Sequence, residues 1–169
     1  MNTVIKTMWY FFLVCLALSL IAGCTAEGEL STSQLEINLP GKAGEFPVDG
    51  QGKLKTKVEI ASADGRIGFS LNEGTLILDK DEKPLQVIDV AIDPSPPPPP
   101  ADAYIVGPVY DLEPEGANFN PQIKLTFSYD PGELPEGVTE RNLYIACYQD
   151  NEWKMLVYKK VDTESRIRH

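Results

Sequence analysis

The chain has 169 residues, 43% of them apolar and 24% charged, which suits one packed domain behind a targeting segment rather than two domains. Its one histidine is His169 and its cysteines are Cys15, Cys24 and Cys147, so histidine-based zinc sites, zinc fingers and Ser-His or Cys-His nucleophile pairs are excluded. Fifteen Lys and Arg stand against 25 Asp and Glu, for a formal charge of −10; phosphate binding needs a basic surface, so no nucleic-acid partner is expected.

Residues 1–23 read as an export signal. Lys6 is the only charged side chain before Cys24, and a predominantly apolar run follows over residues 8–21. As a helix that run spans roughly 21 Å, short of the ~30 Å hydrocarbon core, which favours a cleaved signal over a permanent transmembrane helix. Ile21-Ala22-Gly23-Cys24 resembles the bacterial lipobox. The aliphatic Ile21 and the small Ala22 and Gly23 admit the peptidase, and the Cys24 sulfur takes a diacylglyceryl group. Cys24 is therefore the expected lipidation site, and the membrane, reached through that lipid, is the expected partner. Two or three acyl chains hold a protein stably at a bilayer, without spanning it. Losing Lys6 leaves the mature body more acidic still, so anionic headgroups do not attract it. With Cys15 removed and Cys24 acylated, Cys147 has no disulfide partner and reads, from its alternating surroundings, as a small core hydrophobe.

Residues 24–34 are polar and small and read as a lipidated tether. From there to 161 period-2 alternation dominates, so the expected fold is all-β: an antiparallel, sandwich-like domain of about nine short strands. Leu54, Thr56, Val58 and Ile60 alternate with polar neighbours as one strand. Asp64-Gly65 marks a hairpin into Ile67, Phe69 and Leu71. Gly50-Gln51-Gly52-Lys53 precedes a strand rather than a helix and reads as a turn, not a phosphate loop. Residues 75–78 and 85–92 form two further strands across the acidic stretch 79–84. That stretch lacks the glycine and trailing glutamate of a calcium loop and reads as a solvated hairpin tip.

Residues 94–100 hold five consecutive prolines, Pro96 to Pro100. They are expected to form a polyproline II strut of roughly 15 Å between two halves of the sandwich. A ligand for a proline-binding module is the sharper alternative, less suited to an exported chain. Beyond it, residues 104–110 and 123–129 read as strands, 135–142 as one short helical turn, and 143–148 and 153–158 as a hairpin joined at 149–152. Residues 162–169 form a tail or an incomplete last strand.

Residues 65–75 and 108–126 resemble the ZU-type domain found in zonula occludens scaffolds, ankyrins and netrin receptors. The first matches a glycine-led strand and turn, with Asn72-Glu73 where Ile-Pro or Pro-Pro is usual. The second matches a run of Pro108-Val109, a turn ending at Gly116, then Phe119, Pro121 and an alternating strand, with Glu113 in place of a glycine. Residues 130–143 are similar to prokaryotic surface proteins carrying such domains, and the likeness covers roughly 54–161. It implies a β-rich interaction module. Some relatives cleave themselves at His-Phe-Ser on a late strand; no Phe-Ser follows His169, so self-cleavage is not expected, and the domain is expected to lack its last strand.

The expected function is a lipid-anchored, non-enzymatic envelope module with an envelope protein or a glycan as partner, and no cofactor or metal. Tyr144, Tyr148 and Trp153 form the candidate binding surface; an aromatic platform for glycans or polymers is the first alternative. A carboxylate-dependent hydrolase is the second, drawing on Asp111, Glu113, Glu115, Asp130, Glu133 and Glu136, which all fall in or beside turns.

Overall fold

A computed structural model describes residues 33–156. The export signal, the lipobox Ile21-Ala22-Gly23-Cys24, most of the tether, Tyr158 and the tail beyond it lie outside the described residues.

Leu35, Ile37 and Leu39 alternate with Gln34, Glu36 and Asn38, and this period builds β1 (Ser33–Leu39), which turns at Pro40-Gly41 into β2 (Lys42–Val48). Gly41 sits at φ +69°, where a Cβ would come within 2.8 Å of the Ala63 Cβ. The tether expected through residue 34 thus gives way to a strand at Ser33. β1 also pairs in parallel with β6 (Val87–Ile92), one departure from the all-antiparallel expectation. The Asn38 amide donates to Asp89 Oδ1 at 2.8 Å across that pair. β7 (Tyr110–Glu113) adds antiparallel to β6, completing a sheet ordered β2-β1-β6-β7. Pro47 is tolerated because β2 is an edge strand.

A second sheet holds β3 (Val58–Ala61), β4 (Ile67–Leu71) and β9 (Lys124–Phe127), in that order. β5 (Leu76–Leu78) pairs with β8 (Asn118–Asn120), and β10 (Ala146–Gln149) with β11 (Glu152–Met155). The described residues therefore form an all-β fold, with eleven strands rather than about nine. β1, β2 and β8 fall outside the eight alternating runs named from the sequence.

Other strands are shorter than alternation suggests. The expected strand at 54–60 begins only at Val58, because Leu54 N bonds to Thr75 O and Lys55 N to Pro47 O, dividing the backbone between two neighbours. The strand expected at 104–110 starts at Tyr110; Gly107 at φ +75° and Pro108 interrupt it, leaving Tyr104 72% exposed. At 79–84 the chain turns through Glu82 at φ +60°, and Asp79 Oδ1 accepts from the backbone of Asp81 and Lys83. The carboxylate caps its own turn, the arrangement of a hairpin tip. A short 3₁₀ turn occupies Glu140–Asn142, and a second, Pro131–Glu133, follows Asp130, whose side chain accepts from Gly132 N.

The core lies between the two larger sheets. Leu35, Ile37 and Leu39 of β1, Ile88 and Val90 of β6, Val58 and Ile60 of β3, and Ile67, Phe69 and Leu71 of β4 are all buried in one cluster. Each such side chain contributes about 1.5–3 kcal/mol by leaving water. Every fully buried apolar residue among those described falls between 35 and 90; the chain beyond supplies the half-buried Tyr110, Ala117, Phe119, Ile123, Leu125 and Phe127 at its margin. Two polar groups enter the core. The Ser62 hydroxyl donates to Asp64 Oδ1 at 2.5 Å and accepts from Ile67 N at 3.2 Å, clamping the Asp64-Gly65 hairpin. The Thr75 hydroxyl is buried without a hydrogen-bond partner.

Candidate aromatic site on the last hairpin

The β10–β11 hairpin closes through Asp150 and Asn151, at φ 55° and 63°. Both residues tolerate the left-handed region, and two positive φ values give the primed turn that matches strand twist. The Lys154 ammonium pairs with the Asp150 carboxylate across this turn. Directly opposite residues on antiparallel strands share a face, and Tyr148 lies opposite Trp153. Their rings meet edge to face, with centroids 5.4 Å apart and planes 64° from parallel.

Trp153 reaches beyond its hairpin. Its indole Nε1 donates to the Pro98 carbonyl at 3.0 Å, a contact between residues 55 apart in the chain. The proline run is tied to the body at its start and bounded by a local turn at each end. Asp93 N bonds to Val109 O, Asp93 Oδ1 accepts from Ser95 N, and Pro100 O accepts from Ala103 N. Pro96 and Pro97 are half-buried; Pro98, Pro99 and Pro100 are exposed.

Of the three sequence-predicted surface residues, the structure brings Tyr148 and Trp153 together and places Tyr144 ahead of β10. Tyr144 and Tyr148 are each 43% exposed, whereas Trp153 is half-buried. Tyr148 and Trp153 thus meet edge to face, with the indole N–H engaged by Pro98. Pro98 was not identifiable from the sequence as part of this site, since no local signal links it to Trp153. Cys147 lies on β10, half-buried and outside the core, opposite Lys154 on β11. The small-core-hydrophobe reading is corrected accordingly: the hairpin buries neither face fully.

Of the acidic residues considered for hydrolysis, Asp111 and Glu113 lie on β7 rather than in a turn, and Asp130 and Glu133 lie at the 3₁₀ turn Pro131–Glu133. Glu113 accepts from Glu115 N, Asp130 from Gly132 N, and Glu133 forms an ion pair with Arg66. Hydrogen bonds to the charged form hold two other turn carboxylates below the usual range. Asp49 accepts from Lys53 N and Gln51 N, and Asp64 accepts from the Ser62 hydroxyl and from Arg66 N. The first pair of bonds closes the turn expected at residues 50–53. Burial pushes the Tyr110 hydroxyl up; its ring packs 6.0 Å from that of Phe127. Gly116, Ala117, Phe119, Gln122 and Ile123 line a shallow open depression. Among the described residues no group of three or more His, Cys, Asp or Glu is placed to hold a metal ion, and no helix is long and apolar enough to cross a membrane.

Set against known protein families, curated proteins and solved structures, the chain matches none.

Proposed function

We propose that this chain is a lipid-anchored, non-catalytic envelope protein whose β-rich body serves as an interaction module. The observation that carries the reading is Ile21-Ala22-Gly23-Cys24 at the end of an apolar run too short to span a bilayer. A thioether-linked diacylglycerol on Cys24 holds the body at a membrane surface, and the acidic composition keeps it off the headgroups. The resemblance of residues 54–161 to ZU-type domains belongs to the same proposal, since that module works by binding other proteins. A core confined to residues 35–90, with an aromatic hairpin carried outside it, suits such a role: the scaffold stays rigid while the hairpin meets the partner.

Mass spectrometry of the full chain expressed in a bacterial host tests the anchoring. The expected product begins at Cys24 and carries diacylglyceryl mass on that residue, and Cys24→Ala retains residues 1–23 and loses the lipid. A mature protein that keeps its leader, or a free thiol at Cys24, overturns the proposal. Capture of a partner by the acylated protein from its own envelope tests the interaction role, and a Trp153→Ala variant that captures the same partner equally well removes the hairpin from it.

A further inference from the structure

We infer that the β10–β11 hairpin is a recognition element for extended proline-rich segments, loaded in cis by the chain's own prolines 96–100. This rests on the interaction-module reading and names the partner class: a proline-rich peptide in the polyproline II conformation. Such a chain has no proline N–H to donate, and its carbonyls point outward with no internal partner. A protein that binds it must therefore supply a hydrogen-bond donor beside an aromatic surface. Trp153 supplies both. Its Nε1 donates to Pro98 O at 3.0 Å, and Tyr148 braces the indole edge-on at 5.4 Å while remaining 43% exposed.

The cis ligand is presented ready-made. The Asp93 N–Val109 O bond ties the start of the run to the body, and local turns at Asp93–Ser95 and Pro100–Ala103 shape its two ends, so docking it orders little additional chain. The hairpin's hold on it is light: it engages the Pro98 carbonyl, and Pro98, Pro99 and Pro100 stay exposed. A contact this small, on a hairpin outside the core, can open without unfolding the body. Opening frees the Trp153 donor for a proline-rich segment of another protein. The cis strut then acts as a competitor that sets the threshold for partner binding.

The test uses the protein as expressed, purified in detergent; Trp9→Phe in the gene leaves Trp153 the one indole whether or not residues 1–23 are removed. In the chain with its proline run intact, the indole N–H should exchange with solvent more slowly than free indole. A synthetic oligoproline peptide is then titrated against this chain and against a variant with Pro97→Gly, Pro98→Gly and Pro99→Gly. A tethered competitor at an effective concentration of about 1 mM raises the apparent Kd by a factor of 1 + 1 mM/Kd, so for an intrinsic Kd of about 0.1 mM the variant should bind the peptide about tenfold more tightly. Trp153→Phe, which keeps a ring and loses the donor, should abolish that gain.

An indole N–H that exchanges at the free rate in the intact chain overturns the inference, and this holds even if the glycine variant fails to fold. So does a folded glycine variant that binds no oligoproline, or binds it no better than the intact chain. Neither result touches the lipid on Cys24, read by mass in the same sample. Capture of an envelope partner without proline-rich sequence would leave the module reading standing and sink this one.

Discussion

Arg66 and Glu133 meet across 67 residues of sequence, with Nη2 3.1 Å from Oε1 and Nη1 3.5 Å from Oε2. Arg66 belongs to the β3–β4 turn at the rim of the core, and Glu133 ends the 3₁₀ turn that Asp130 caps. The fork of the guanidinium fits a carboxylate in two-pronged fashion, and Glu133 holds the Arg66 guanidinium more firmly protonated still. Through this pair the chain after β9 is tied back to the body.

Both side chains are about one-third exposed, so solvent screens the pair. A double-mutant cycle with Arg66→Ala and Glu133→Ala, read by urea unfolding, should give a coupling of roughly 0.2–1 kcal/mol. Amide exchange should rise at residues 132–134 and stay unchanged in β1 and β4. Equal acceleration in the core strands would show that the pair supports the whole fold rather than the attachment of this segment.

Gly50 and Gly52 share one turn and should answer unequally to alanine. Gly52 sits at φ +85°, and a Cβ there would lie 2.8 Å from Ile77 O and 3.0 Å from the Pro84 Cβ; at Gly50 nothing lies within 4 Å. Gly52→Ala should lower stability by at least about 2 kcal/mol, from backbone strain and the clash together. Gly50→Ala should change it by no more than about 0.5 kcal/mol. Urea midpoints at constant m decide, and equal values for the two variants would contradict the described turn.

Asp49 and Asp64 have folded pKa values below the ordinary carboxylate value, through the hydrogen bonds their turns donate. The stability each contributes is fully present above the unfolded pKa of about 4 and is lost as pH falls through the lower folded value. Thermal midpoints should therefore be insensitive to these two groups between about pH 6 and 8 and should fall below about pH 4. Asp49→Asn with Asp64→Asn keeps an acceptor oxygen and removes the titration, so the acid limb should flatten. An unchanged acid limb would assign the pH dependence to other carboxylates.

Much of the sheet structure was legible because half-buried strands repeat every two residues. Ile67, Phe69 and Leu71 announce β4, and Asp64-Gly65 announces the turn before it. The same period runs through Leu35, Ile37 and Leu39, yet β1 was hidden by its polar approach, which reads as tether. Partnership was less accessible. Nothing local makes β1 pair in parallel with β6, or sends β5 to β8, because the hydrogen bonds of a ladder are donated by backbone common to every residue. At the aromatic site, Tyr148 and Trp153 were recognisable as surface candidates, whereas Pro98 was not, since its contribution is a carbonyl oxygen.

The order of side chains along the chain was enough to determine an all-strand body, its main turns and the proline run, for these depend on neighbours a few residues apart. Where the core closes, and what the Trp153 indole touches, was decided only in three dimensions. Burial is shared among segments distant in sequence, and a hydrogen bond across 55 residues exists only once two sheets and a hairpin have set its ends 3.0 Å apart.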